Sequence, residues 1–70
     1  MAKAVESFDG YTMDFTGRIQ YALSETGKVF SRSQYRDPRY GYKWAKWHET
    51  APSAVEGLSP RGARNWRLPA

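Results

Sequence analysis

Between Tyr11 and His48 apolar and polar residues alternate with the two-residue period of half-buried strands. Tyr11, Met13 and Phe15 alternate with Thr12, Asp14 and Thr16, and the same parity continues through Gly17 into Ile19, Tyr21 and Leu23. Two arrangements fit this run: one long strand bent at Gly17, or a separate strand over 10–16 that turns into the next. Further along, two turn signals interrupt the pattern. Glu25-Thr26-Gly27 suits a three-residue hairpin loop, with Gly27 free to take the left-handed conformation. Asp37-Pro38-Arg39-Tyr40 suits a type I turn, with Asp first and the φ of Pro pre-set for the second position. The spacing predicts an antiparallel meander over 17–24, 28–36 and 40–48.

The loops set the register. A three-residue first loop pairs Ser24 with Lys28, and a two-residue second loop, Pro38-Arg39, pairs Asp37 with Tyr40. One face then carries Ile19, Tyr21, Leu23, Val29, Tyr35, Tyr42, Trp44 and Lys46, and is mostly apolar. The other carries Arg18, Gln20, Ala22, Phe30, Arg32, Gln34, Arg36, Lys43 and Trp47, and is mostly basic and amide. A slip of one residue would exchange every side chain between faces, so this separation supports the pairing.

Either side of the meander the signals are weaker. Residues 1–9 read as a loose arm or the start of an edge strand, with Asp9-Gly10 as a turn. Residues 49–70 read as a connector and a basic C-terminal segment. Within it, Ser53 and Glu56 have the spacing of a capping box, with Gly57 as a stop. Ser59-Pro60 offers a second helix start, after which Arg61, Arg64 and Arg67 recur every third residue. Gly62 weakens that helix, and the tail can equally be extended, or disordered until bound. The expectation is one small, mainly β domain, α+β at most. It has a three- to four-stranded meander and a short C-terminal helix or extended tail packed on it.

Composition narrows the class of protein. The chain has 70 residues, a net charge of +4 and no cysteine. That is one domain with a small core, no disulfide and no thiolate chemistry. The N-terminal stretch lacks a signal peptide's apolar core, and no run approaches a membrane span, so the expectation is a cytoplasmic protein without a membrane partner. Residues 1–17 carry a net −2, residues 18–48 a net +5 and residues 49–70 a net +1. Charge concentrated on the sheet points to a polyanion, or to an acidic surface on a larger protein or nucleoprotein complex. It also fits a merely solubilising face.

Catalysis has no support. His48 is the single histidine, and its neighbour Glu49 points to the opposite side of a strand. No paired carboxylates, phosphate-binding loop or metal-ligand spacing occurs, so no enzyme activity, metal or cofactor is expected.

The basic face is the better candidate. Arg18, Arg32, Arg36 and Lys43 would contact phosphates, and Gln20 and Gln34 would read bases. Phe30 and Trp47, paired at one end, either stack on bases or are covered by Trp66 or Leu68. Cover is the favoured alternative, since small domains rarely leave two large aromatics bare. Arg39 on the second turn and Arg61, Arg64 and Arg67 in the tail would add contacts, unless the tail arginines close onto acids of the N-terminal segment. At the level of architecture alone, a basic three-stranded sheet with a trailing helix is similar to modules that place strands in the DNA major groove. The first expectation is therefore a small nucleic-acid-binding module, for DNA or RNA. The alternative is a small phage- or plasmid-type inhibitor or adaptor that binds a protein through its aromatic and basic surface.

Overall fold

The computed structural model describes residues 2–69. The chain is mainly β, a single curled antiparallel sheet. Its strands are β1 (Ala2–Tyr11), β2 (Arg18–Ser24), β3 (Val29–Asp37), β4 (Gly41–Trp44), β5 (His48–Thr50) and β6 (Arg64–Leu68). The order is β4-β3-β2-β1-β6, and β5 follows β4 along the outer edge of β3. Trp47, on that edge, lies 5.2 Å centroid to centroid from Trp66 on β6, at the opposite edge. The sheet therefore curls far enough for its two edges to meet across the concave side.

The curl follows from what lines that side. Ala2, Ala4, Ala22, Phe30 and Leu68 form the buried cluster, with Trp47 and Trp66 packed against it. Three alanines let the strands approach closely, and Phe30 and Leu68 fill the space between them. Burying each of these two side chains stabilises the fold by about 1.5–3 kcal/mol. A bulge near Val5 keeps Ala4 and Ser7 on the same side although they are three residues apart: Ala4 pairs with Ser24 and Glu6 with Leu23.

The first hairpin has the expected register, with Ile19 opposite Ser33 and Leu23 opposite Val29. Gly27 takes φ +89, and its amide donates to the Ser24 carbonyl at 2.9 Å. The second hairpin differs by one residue. Asp37 pairs with Gly41, Tyr35 with Lys43 and Gln34 with Trp44. Its loop holds Pro38, Arg39 and Tyr40, because the Asp37 carboxylate accepts from the amides of both Arg39 (2.7 Å) and Tyr40 (3.2 Å). Gly41 then closes the loop at φ +80. The slip moves Tyr42 and Trp44 onto the Arg32 side and Lys43 onto the Tyr35 side. Between β4 and β5 one further residue is inserted, since Gln34 pairs with Trp44 but Ser31 with His48. This bulge lets Trp44 and Trp47, an odd spacing apart, face the same way.

Three other expectations are corrected. Residues 1–9 are not a loose arm: Ala2–Tyr11 is a strand held between β2 and β6, and Asp9-Gly10 runs straight through it. Met1 lies outside the described residues. Residues 12–17 are neither a strand nor a bend but a loop, because Asp14 captures the polar groups on both sides of it. The C-terminal segment has no α-helix. After a single 3-10 turn, Pro52–Val55, whose cap Ala51 makes no side-chain hydrogen bond, the chain runs extended. Ser53 therefore does not cap the turn; its carbonyl accepts from the Glu56 amide at 3.1 Å. The amides that a Ser59 cap would bind, those of Arg61 and Gly62, are bound to β1 instead. The Arg61 amide donates to the Ser7 carbonyl at 2.8 Å, and the Gly62 amide to the Glu6 carboxylate. The extended alternative for the tail is the observed one.

Candidate nucleic-acid interface

The concave side is dry at one end and open at the other. At the closed end Phe30 is 3% exposed and Leu68 0%. Phe30 thus has no access to a ligand; the tail covers it, as one of the two alternatives anticipated. Its strand partner is Glu49, not Trp47.

Arg32 occupies the middle. Its guanidinium lies 4.4 Å from the centroid of the Trp47 ring, 5.1 Å from that of Trp66 and 5.4 Å from that of Trp44. Its Nε donates to the Gln20 Oε1 at 2.7 Å. Burial among these groups holds the Arg32 pKa below its ordinary value, yet an arginine stays cationic at neutral pH. Arg32 and Gln20 therefore satisfy each other and the three rings. They serve as internal packing first, and only their outer edges face solvent.

Beyond Arg32 the sheet opens. β2 pairs with β3 only as far as Ser33, so Gln34–Asp37 pairs with β4 alone. The result is a two-stranded ribbon that extends roughly 13 Å past the sheet at the usual rise per residue. Tyr42 is 70% exposed and Tyr40 68%, with Tyr35 also outside. Arg36 stands opposite Tyr42, Arg39 is at the tip, and the Lys43 Nζ lies 4.4 Å over the Tyr40 ring. At the foot of the ribbon Trp44, Gln20, Tyr11 and Arg18 line a small cleft.

Among the described residues the ion pairs are Lys28–Glu49 at 3.9 Å and Arg61–Asp9 at 3.3 Å. Arg18, Arg36, Arg39 and Lys43 have no carboxylate partner among the described residues. The three tail arginines form no common ridge. Arg61 closes onto Asp9, Arg64 donates to the Ser7 Oγ at 3.4 Å, and Arg67 stands opposite Lys3.

The structure thus gathers Arg18, Gln34, Arg36 and Arg39 at one open end. It withdraws Phe30 and largely withdraws Gln20, Arg32 and Trp47. Lys43 stays on the ribbon but on its other face. Sequence reasoning missed Tyr42 and Trp44, which it assigned to the core, and Tyr40. The signal that finds them is Gly41, which supports a longer loop in the same way that Gly27 does in the first hairpin. Among the described residues no three His, Cys, Asp or Glu side chains converge, and no helix is long and apolar enough to cross a membrane. Compared with known proteins, the chain matches no family model, no curated protein and no solved structure.

Proposed function

We propose that the protein is a small nucleic-acid-binding module, and that its binding surface is the ribbon 34–44 together with the open end of the concave face. The observation that carries this reading is the ribbon's composition and exposure. Its eleven positions hold Tyr35, Tyr40, Tyr42 and Trp44, with Arg36, Arg39 and Lys43 against Asp37 alone. Asp37 spends its carboxylate on backbone amides at the turn. Unpaired cations neutralise phosphates, and aromatic faces beside them accept bases. Arg18 and Gln34 extend the surface toward the sheet, whereas Arg32 and Gln20 stiffen it from behind.

Fluorescence polarisation of a labelled oligonucleotide at several salt concentrations tests this. For wild type the logarithm of the binding constant falls linearly with the logarithm of salt. Arg36→Ala with Arg39→Ala weakens binding and reduces that slope by about 1.4–1.8, since each lost phosphate contact removes roughly 0.7–0.9. Both side chains are exposed, so the circular dichroism of the double variant matches wild type. Unaltered affinity and slope in the folded variant would remove the ribbon from the interface.

A further inference from the structure

The loop joining β1 to β2 is tied by hydrogen bonds of its own, yet it exposes its apolar residues. Asp14 Oδ1 accepts from Thr12 Oγ1 at 2.6 Å, Thr16 Oγ1 at 2.8 Å and the Thr16 amide at 3.1 Å. The Thr12 amide donates to the Gly17 carbonyl and the Phe15 amide to the Thr12 carbonyl, each at 2.9 Å. Held this way, Phe15 sits at φ 60, a left-handed conformation that bulky side chains rarely adopt. The strain gains little burial, because Phe15 is 79% exposed and Met13 99%. Strained, exposed positions of this kind recur at ligand clamps.

Phe15 overlooks a cleft of about 640 Å³ whose walls include Tyr11, Arg18 and Leu58. The Tyr11 and Phe15 rings are 6.4 Å apart and tilted by 46°. Tyr11 and Arg18 also line the cleft beside Trp44 at the foot of the ribbon. Aromatic faces therefore follow one another from Phe15 through Tyr11 and Trp44 to Tyr42, with Arg18 and Arg36 beside them.

We infer that the ligand is single-stranded nucleic acid, and that the cleft beside Phe15 holds one of its unstacked bases. This rests on the nucleic-acid reading above. In a duplex the faces of the bases are covered by their neighbours, and a row of exposed rings finds nothing to stack on; in a single strand every base offers a face. Charge orients the strand. Asp14 is ionised at the loop and repels phosphate, while Arg18, free of any carboxylate partner among the described residues, attracts it. Phosphates follow the arginines, and the bases turn toward Phe15 and Tyr11.

The test is polarisation of labelled oligothymidylate, oligouridylate and a DNA hairpin duplex with wild type and Phe15→Gly. Glycine accepts the left-handed φ without strain, so this variant folds with an unchanged or raised melting temperature. At equal salt, wild type binds a single strand, whether DNA or RNA, at least about tenfold more tightly than the duplex. Phe15→Gly lowers single-strand affinity roughly five- to a hundredfold, the range for one lost base stack, and leaves duplex affinity alone. Equal affinity for strand and duplex, or a Phe15→Gly variant that binds single strands like wild type, would overturn the inference while leaving nucleic-acid binding in place. Binding to none of the three probes at low salt would overturn both.

Discussion

Single residues explain most of what distinguishes the exposed aromatic end from the core. Asp14 is the sharpest case. Its hydrogen bonds from Thr12 and Thr16 hold its pKa down at about 2. Because the folded value is depressed, the contribution of Asp14 to the loop is complete above the unfolded value near 4 and is lost as pH falls toward 2. NMR resonances of Met13 and Phe15 should therefore stay constant from pH 7 to about 5 and shift only below about 4. Movement centred near pH 6 would mean that another group controls the loop. The sequence displayed Asp14 between two threonines, but the alternation of Tyr11, Met13 and Phe15 read more strongly as a strand. Side-chain capture of backbone amides competes with strand pairing, and hydrophobic periodicity does not register it.

Arg32 is the second case. It reads as a phosphate anchor from its place in a row of basic residues, and the chain folds three tryptophans around it. Arg32→Ala should destabilise the protein by about 2–5 kcal/mol, the combined scale of cation–π contacts and one hydrogen bond to a charged group. Arg32→Lys should recover only part of this, since an ammonium lacks a planar face to lie against several rings. Urea unfolding followed by tryptophan emission measures both, and wild-type stability in Arg32→Ala would show that the cage is incidental.

At the scale of elements, the decisive quantity is loop length. The first hairpin was legible because Gly27 follows two polar residues between clear strands, and only one register separates the faces. The second was misread by one residue because Asp37-Pro38 is such a strong turn opener that the loop was closed before Gly41. That single residue decides whether Tyr42 and Trp44 belong to the core or to the proposed binding surface. A Cβ at Gly41 would meet no atom within 4 Å, so the cost of a side chain there is purely conformational. Gly41→Ala should destabilise the ribbon by about 1 kcal/mol, and Gly41→Asn by less, since Asn tolerates the left-handed region. Amide hydrogen exchange of Tyr35 and Lys43, whose amides face each other across the ribbon, reads this locally. Equal protection in all three proteins would contradict the assigned loop.

For the whole molecule, the mainly β class and the concentration of charge were legible, and closure of the sheet was not. Closure depends on pairing between β1 and β6, whose residues lie at opposite ends of the chain, and no local pattern announces such a pairing. The arginines at 61, 64 and 67 looked like a helical ridge because three-residue spacing is ambiguous. The inward residues of the tail, Trp66 and Leu68, have the strand period instead. Deleting residues 64–70 should abolish cooperative unfolding, since it removes Leu68 and Trp66 and strips one side of β1. A truncated chain that retained a sharp melting transition would place the stabilising contacts elsewhere. Electrostatically, the fold pairs the N-terminal Asp9 with the tail's Arg61 and gives the cations of the ribbon no carboxylate partner among the described residues, so the basic character of the chain is expressed mainly at one end.

The most direct test of the account is chemical-shift mapping of the isotope-labelled protein titrated with a short single-stranded oligonucleotide at low salt. The largest shifts should fall on residues 34–44, Tyr11, Phe15 and Arg18, with Phe30, Leu68 and the Pro52–Val55 turn unmoved. Shifts centred on that turn or on the outer face of β6, or no shifts at all from the folded protein, would contradict it.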